Sequence, residues 1–335
     1  MATAATPAYR RALVAALTLA SAGPTMGAAP TRHFVFRYDI TVRDLPPTAR
    51  SVSVWMPIPP ETPAQRILAI DVHAPIDGTI STERVYANRI WHAHGAPPRS
   101  GEPLRITQRV EVVRRAVRVD PAINAIQAPP DNLDLFLRPN RLVPAGKRFE
   151  RIARARTGGE RSAIAIGRRL YDYVRAAMAY DKTGTGWGRG DAVYACDAGK
   201  GNCTDFHSLF IALARAVNIP ARFRIGFPLP PARGTGTVPG YHCWAEFWLP
   251  EYGWVPVDIS EADKHPDATD YYFGGLDENR IMYSLGRDIV LPEAEHAKRG
   301  PKARQPLNYF IYPYVEVDGR PWNAVTRRVT YEDLP

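Results

Sequence analysis

Two stretches of the chain decide its fold: residues 201–227, GNCTDFHSLFIALARAVNIPARFRIGF, and residues 240–260, GYHCWAEFWLPEYGWVPVDIS. The first stretch opens with apolar residues spaced three and four apart, which predicts a helix that begins at Cys203 or at the residue after it. Apolar and polar residues then alternate, as they do again in the second stretch, and this alternation predicts strands. The turn at residues 250–253 favours an antiparallel hairpin with Asp258 on its second strand. The helix face predicted to lie in the core consists of Phe206, Leu209, Phe210, Leu213, Ala214 and Val217.

Cys203 is predicted to lie where the helix begins, and this position makes its thiol a candidate nucleophile. Unpaired backbone N–H groups and the positive end of the helix dipole lower the pKa of a thiol placed there. Gly201 permits a close approach of the preceding loop, and the backbone N–H of Cys203 can stabilise an oxyanion. A buried structural cysteine is the alternative for Cys203 taken alone.

A thiolate nucleophile needs a histidine that shares its proton and an acceptor that fixes the imidazole ring. His242 and Asp258 fall on the two strands of the predicted hairpin. If the hairpin packs against the helix, Cys203, His242 and Asp258 form a catalytic triad. The register of the hairpin cannot be read from the sequence, so the contact between His242 and Asp258 is a prediction.

These two stretches resemble the bacterial transglutaminase-like superfamily, whose motifs are G-x-C-x-D, R-A-x-x-I-P-A-R, H-x-W-x-E and G-W-x-x-x-D. The matching positions are Gly201, Cys203 and Asp205; residues 215–222; His242, Trp244 and Glu246; and Gly253, Trp254 and Asp258. The resemblance covers roughly residues 150–295, and the end of the chain is similar to exported members. It implies a papain-like α+β core in which Cys203 attacks an acyl carbon. His242 would act as base and then acid, and Asp258 would orient it.

Three further residues, Trp187, Asn202 and Trp244, are candidates for substrate binding or oxyanion stabilisation. For the two tryptophans, the alternative is a place in the core or at its rim. Asp205 is predicted to accept hydrogen bonds from backbone N–H groups at the start of the helix, not to react.

The chain contains three cysteines, Cys196, Cys203 and Cys243. An odd number leaves at least one thiol free in an exported protein. Cys243 is predicted to point away from His242, and it either forms a disulfide with Cys196 or is a buried thiol. A zinc site of Cys203, His207, His242 and Cys243 is a further alternative, but it matches no familiar zinc pattern. The sequence therefore predicts no metal and no cofactor.

Residues 30–120 show the two-residue period of strands, interrupted by proline and glycine, which predicts a β-sandwich. The 32 prolines of the chain favour loops and edge strands over a helical bundle. The residues predicted to share a face are Phe34, Phe36, Tyr38 and Ile40 in one strand and Val52, Val54 and Met56 in the next.

The predicted fold class is α+β: a transglutaminase-like core with an antiparallel sheet packed on the catalytic helix, preceded by an all-β sandwich. The predicted parts are a signal peptide (1–29), the sandwich domain (30–120), a proline-rich linker (121–148), the catalytic domain (149–295) and C-terminal strands and tail (296–335). Within the catalytic domain, Thr157 and Glu160 have the spacing of a capping box, which predicts the start of another helix. A final strand is predicted over residues 310–317.

The N-terminus favours export. Arg10 and Arg11 precede a short apolar run and small residues, which is typical of a Sec-type signal peptide; a membrane anchor or a disordered tail is the alternative. The run is too short to span a bilayer, so we expect a periplasmic or secreted protein without stable membrane insertion after signal removal. The net charge of +9 falls to +7 without these two arginines. Because no basic stripe carries interleaved aromatic residues, nucleic acid is not a predicted partner.

The predicted triad and the resemblance lead to one functional hypothesis and two alternatives. The hypothesis is an exported cysteine-dependent acyl-transfer enzyme that hydrolyses an amide or isopeptide bond in a protein or peptide through a Cys203 thioester. Its substrates could include components of the cell envelope. The alternatives are a protein-glutamine transglutaminase that forms cross-links and a binding module that keeps the fold without turnover.

Overall fold

The computed structural model describes residues 29–98, 101–119, 132–250, 252–292 and 306–335. The predicted signal peptide lies outside these residues except for its last position, and so does the first part of the predicted linker. Within the described part of the chain, no helix is both long and apolar enough to cross a membrane.

The described residues form eighteen strands and five α-helices. The strands are β1 Thr31–Val42, β2 Val52–Ile58, β3 Gln65–His73, β4 Gly78–Thr82, β5 Arg89–Gly95, β6 Leu104–Arg115, β7 Val117–Arg118, β8 Ala179–Tyr180, β9 Lys200–Gly201, β10 Ala221–Pro228, β11 Thr235–Thr237, β12 His242–Leu249, β13 Gly253–Val257, β14 Gly275–Leu276, β15 Arg280–Leu285, β16 Tyr314–Val317, β17 Arg320–Pro321 and β18 Val325–Asp333. The helices are α1 Lys147–Thr157, α2 Ala163–Ala177, α3 Ala192–Ala198, α4 Cys203–Ala216 and α5 Ile259–Lys264, with short 3-10 helices at Leu133–Leu137 and Pro266–Ala268.

Ten strands form two five-stranded sheets, in the orders β11-β18-β1-β6-β3 and β17-β16-β2-β5-β4. Alternate residues of each strand point to the same side, and one side of each sheet contributes to a shared buried core. This core contains Phe34, Phe36, Tyr38 and Ile40 of β1 and Val52, Val54 and Met56 of β2. These are the residues predicted for one face of each strand, and the predicted all-β N-terminal region is confirmed.

The last strands of the chain belong to the same two sheets as the first strands. β18 pairs with β1 in antiparallel fashion, from Phe34 opposite Asp333 to Val42 opposite Val325. β16 pairs with β2 and begins at Tyr314, four residues later than the predicted start. The chain thus returns to its N-terminal region after the segment that carries the predicted triad.

A four-stranded sheet in the order β13-β12-β10-β15 packs against α4. Phe210 of α4 meets Phe247 of β12 with ring centres 5.8 Å apart, on the side of the sheet that also carries Cys243. The helix begins at Cys203, as predicted. It is buried on all sides as far as Ala214, because α1, α2, α3 and α5 also contact it. The predicted α+β class, with an antiparallel sheet on this helix, is confirmed.

The predicted capping box at Thr157 is wrong. Thr157 is the last residue of α1, and Gly158 ends that helix in the left-handed conformation, with φ at 54°. The Thr157 hydroxyl donates to the carbonyl oxygen of Ala153 at 2.9 Å, so it caps nothing. The next helix begins at Ala163, after the N-cap residue Ser162.

Candidate active site

The start of α4 is fixed by a reciprocal pair of hydrogen bonds. Asn202 is the N-cap residue, and its Oδ1 accepts from the backbone N–H of Thr204 at 2.9 Å. Asp205 Oδ2 accepts in return from the backbone N–H of Asn202 at 3.0 Å. A Cβ at Gly201 would lie 2.4 Å from Asp205 Oδ2, so the close approach requires glycine there. Cys203 is thereby held at the first position of the helix.

Asp205 also ties the glycine-rich loop of residues 181–190 to the helix. Its carboxylate accepts from the backbone N–H groups of Gly188 at 2.7 Å and Gly190 at 2.9 Å. This geometry agrees with the predicted role of Asp205. Trp187 lies half-buried on the same loop, and its indole N–H donates to a backbone carbonyl within the loop at 3.2 Å. Trp187 is therefore the neighbour in sequence of Gly188, whose backbone N–H is bound to Asp205 in the first turn of α4.

The three predicted catalytic residues meet where β12 begins. His242 Nε2 lies 2.8 Å from Asp258 Oδ2, and the imidazole lies close enough to the thiol of Cys203 for each group to shift the pKa of the other. The site is nearly closed to solvent, with exposed fractions of 2% for Cys203, 6% for His242 and 0% for Asp258. Asp258 is the N-cap residue of α5, one position beyond the end of the strand predicted to carry it.

The charges of these residues stabilise one another. Burial alone would raise the pKa of the Cys203 thiol, but interactions with the neighbouring Cys243 thiol and with the imidazolium of His242 hold that pKa well below its usual range. Burial would lower the pKa of His242, but the charge and hydrogen bond of Asp258, together with the contact to Cys203, raise it to about 10. A thiolate beside an imidazolium is therefore the favoured state at neutral pH.

Arg280 is a site residue that the sequence analysis missed. Its Nη1 donates to Asp258 Oδ2 at 2.9 Å and its Nη2 donates to Asp277 Oδ2 at 2.8 Å. Burial would raise the pKa of Asp258, but His242 and then Arg280 hold it below its usual range. No pattern around Arg280 in the sequence could indicate this contact, because β15 reaches the site only through the pairing of the sheet.

Cys243 and His207 are fully buried neighbours of the Cys203 thiol. Cys243 Sγ is 3.6 Å from His207 Nδ1, and burial together with the neighbouring Cys203 raises the pKa of the Cys243 thiol. His207 Nε2 accepts from the backbone N–H of Ile259 at 3.0 Å, and burial lowers the pKa of His207 to about 4, so this ring is neutral. All three cysteines are free thiols, so Cys243 is a buried thiol and not half of a disulfide with Cys196.

The residues of the zinc alternative do not form a close group of ligands. Within the described residues, the group close enough to hold a metal ion is His242, Asp258 and Glu261, with ligand atoms within 4.8 Å of one another. His242 and Asp258 are already hydrogen-bonded to each other. The absence of a metal remains a prediction from the sequence.

Trp244 and Asn202, two of the predicted substrate or oxyanion residues, lie in different parts of the structure. Trp244 is buried against Leu276 and Met282, on the side of the sheet away from α4. Asn202 uses its oxygen for the helix cap, and its Nδ2 donates to the Tyr241 hydroxyl at 3.2 Å. The structure thus places Asn202 beside the nucleophile and Trp244 behind the sheet.

A cavity of about 460 Å³ opens beside His242. Its walls carry charges of both signs and tyrosine rings, including Tyr180, Tyr241, Glu261, Lys264, Asp277 and Arg280. This is a space next to the triad into which part of a substrate could enter.

The C-terminal segment also reaches this region, which the sequence analysis did not foresee. The Tyr309 hydroxyl donates to the carbonyl oxygen of Gly188 at 3.1 Å and lies 3.4 Å from the Tyr241 hydroxyl. Asn308 Nδ2 donates to the carbonyl oxygen of Arg189 at 2.6 Å. The glycine-rich loop is thus held between Asp205 and residues more than one hundred positions further along the chain.

Comparison with known proteins concerns the domain that contains this site. Residues 150–259 match the transglutaminase-like superfamily, a range that includes Cys203, His242 and Asp258. A protein of Haemophilus influenzae named only as uncharacterized is 27% identical over 331 residues, covering 87% of each chain. A solved protein of Cytophaga hutchinsonii, described as a candidate cysteine protease, superposes with a TM-score of 0.60 at 16% identity, over 92% of each chain. At this identity the structural likeness shows the fold alone. The match of residues 150–259 confirms the predicted resemblance to the transglutaminase-like superfamily.

Proposed function

We propose that this chain, which carries a transglutaminase-like domain, is an exported cysteine-dependent enzyme that hydrolyses an amide or isopeptide bond in a protein or peptide. One observation carries the proposal: buried Cys203 lies beside His242, whose charge lowers the pKa of the thiol and whose Nε2 is 2.8 Å from Asp258 Oδ2. A buried thiol that only fills space has no need of an imidazole held by a carboxylate.

In the first half of the reaction, the Cys203 thiolate attacks the carbonyl carbon of the substrate. A C–S bond forms while the carbonyl π electrons move to oxygen, and the backbone N–H of Cys203 is a donor for that oxyanion. His242 then gives its proton to the amine nitrogen, the C–N bond breaks and a thioester remains. Asp258 keeps the imidazole oriented and stabilises its charged form.

In the second half, His242 takes a proton from water as the water oxygen attacks the thioester carbon. Collapse of this second tetrahedral intermediate breaks the C–S bond and returns the thiolate beside the imidazolium. The products are a carboxylic acid and the amine released earlier. If an amine replaces water, the same residues form a new amide, which is the transglutaminase alternative.

Hydrolysis is the preferred reaction because water is abundant and no feature of the described residues marks an amine site. A binding module without turnover is less well supported, since such a module has no use for a thiol whose pKa is lowered by an oriented imidazole. The sequence of residues 1–29 supports a periplasmic or secreted location, where envelope proteins and peptides are accessible substrates.

The test offers the purified mature protein a glutamine-containing peptide together with a labelled amine. We expect release of ammonia or peptide cleavage without incorporation of the amine, and loss of this activity in Cys203→Ala. Cys196→Ala is the matched control, because this thiol is half-exposed and lies outside the triad. Incorporation of the label would establish the transglutaminase alternative, and equal labelling of wild type and Cys203→Ala by an electrophilic thiol probe would contradict an activated Cys203.

A further inference from the structure

A second cavity, of about 340 Å³, lies on the side of the catalytic sheet away from α4. One wall comes from the end of β6 and from β7, and the other comes from β10, β12 and β13. Its volume is at the lower end of the range for small-molecule sites. It is separate from the cavity beside His242, which has different lining residues.

The wall of this cavity carries an excess of positive charge. It includes four arginines, Arg114, Arg118, Arg222 and Arg224, and one carboxylate, Glu246. Glu246 Oε2 already accepts from Arg222 Nε at 2.5 Å and from Arg224 Nε at 2.9 Å. Within the described residues, no carboxylate forms an ion pair with Arg114.

Two buried donors on this wall have no acceptor among the residues that the structure describes. Arg114 Nε and Trp244 Nε1 form no hydrogen bond with these residues, although Arg114 is only 3% exposed and Trp244 only 1%. A buried polar group without a partner costs free energy, so native proteins rarely leave one. Arginine and indole N–H groups can only donate. The missing partner is therefore an acceptor, and the charge of Arg114 favours an anion.

The rest of the wall is apolar or aromatic. Trp254, Leu276, Met282 and Val117 line it beside the two unpaired donors. A simple inorganic ion would leave these surfaces without contacts. A molecule that has both an oxyanion group and an apolar part fits the whole cavity.

We propose that this cavity binds a small organic anion, with a carboxylate or phosphate group at Arg114 and Trp244 and an apolar part against Trp254 and Met282. Guanidinium groups bind both oxyanions through paired N–H donors. The site is distinct from the triad, and its occupancy does not depend on the reaction proposed for Cys203.

Calorimetric titration of the full mature protein tests this proposal with four probes: phenylacetate, phenyl phosphate, inorganic phosphate and benzylamine. We expect saturable binding of phenylacetate or phenyl phosphate at about millimolar concentration or below. The tighter of the two identifies the anionic group. Inorganic phosphate should bind more weakly than phenyl phosphate, and benzylamine should not bind.

Arg114→Met should weaken binding of the aromatic anion by about tenfold or more, because a charge-assisted hydrogen bond is lost. Arg84→Met is the matched control, since Arg84 is an exposed arginine outside the cavity, and it should leave binding unchanged. Trp244→Phe removes the indole donor but keeps an aromatic ring, and it should weaken binding even if Arg114→Met fails to fold. The proposal is overturned if the anions do not bind, if benzylamine binds equally well, or if affinity is the same in both cavity variants as in wild type.

Discussion

Strand β12 carries two buried clusters of charge that differ in how they are balanced. The cluster at His242 continues through Asp258 to Arg280, so each charge faces an opposite one. The cluster at Glu246 has two arginines bound to a single carboxylate, and Arg114 adds a further cation. The first cluster contains its own counter-charges, whereas the second has a surplus that nothing described in the chain neutralises.

This difference separates two uses of buried charge. In a balanced cluster, removing one charge changes the ionisation of its neighbours, so a reactive thiolate can be held beside its proton donor. In an unbalanced cluster, the surplus charge lowers stability until a ligand supplies the counter-charge. Matched substitutions in the two clusters should therefore differ in their effects on activity and on the free energy of unfolding.

The largest contrast is expected between Asp258→Asn and Glu246→Gln, which make the same acid-to-amide change. Asp258→Asn removes the group that orients His242, and we expect kcat/KM for peptide hydrolysis to fall by about 10³- to 10⁴-fold. Glu246→Gln should lower it by less than about tenfold, because Glu246 lies behind the sheet. Steady-state kinetics on both variants, with circular dichroism as a check of folding, measures the contrast. Equal losses in the two variants would remove the distinction between the clusters.

The second contrast concerns the thiol itself. In His242→Ala the thiolate loses its positive neighbour, so the pKa of Cys203 should return to about 8.5 or above. At about pH 6 we expect alkylation of Cys203 by iodoacetamide to slow by about 10²- to 10³-fold, with recovery at about pH 10. Mass mapping of the alkylated peptide distinguishes Cys203 from Cys196 and Cys243. An unchanged rate at the lower pH would mean that His242 does not hold the thiolate.

The residues of the first cluster that could be predicted are those that local patterns reveal. The start of α4 follows from apolar spacing, and Cys203, His242 and Asp258 stand at motif positions at the starts of α4, β12 and α5. Alternation along β1 and β2 likewise predicted which side chains enter the core. Thr157 shows the limit of such patterns: its spacing to Glu160 satisfies a capping box, but two glycines after it end one helix instead of starting another.

The residues that could not be predicted are brought in by distant pairing. Arg280 reaches Asp258 because β15 pairs with β10, and Arg114 reaches the second cavity because β6 ends beside the catalytic sheet. Tyr309 contacts Gly188 across more than one hundred residues. Each contact depends on strand pairing or packing between segments far apart in the chain, which has no periodic signature in the sequence.

The third contrast is in stability, between Arg280→Met and Arg114→Met. Arg280→Met leaves Asp258 with His242 as its remaining cation and removes the ion pair of Asp277, and we expect the free energy of unfolding to fall by about 3 kcal/mol. Among the described residues, no carboxylate forms an ion pair with Arg114, and burial with the charges of Arg280 and Arg224 lowers its pKa to about 9. Arg114→Met should therefore leave the free energy of unfolding unchanged or raise it by about 1 kcal/mol.

Denaturant unfolding of both variants in a buffer free of organic anions provides the measurement. Citrate is unsuitable as the buffer, since it is an organic anion of the class proposed for the second cavity. If Arg114→Met is as destabilising as Arg280→Met, then Arg114 has a structural partner and the second cluster is balanced after all.

The smallest expected change is in the pH dependence of Cys203 alkylation in the wild type. In a balanced cluster the alkylation rate should vary little with pH. The lowered pKa of Cys203 keeps the thiolate present as pH falls toward about 6, and the pKa of His242 near 10 keeps the imidazolium present as pH rises. Between about pH 6 and pH 8 the rate should change much less than that of a free thiol with a pKa of about 8.5, which slows by roughly 100-fold over the same interval. Free cysteine alkylated in the same buffers is the control. If Cys203 followed the curve of free cysteine, the thiol and the imidazole would both be neutral in this range, and the balance that distinguishes the first cluster from the second would be absent.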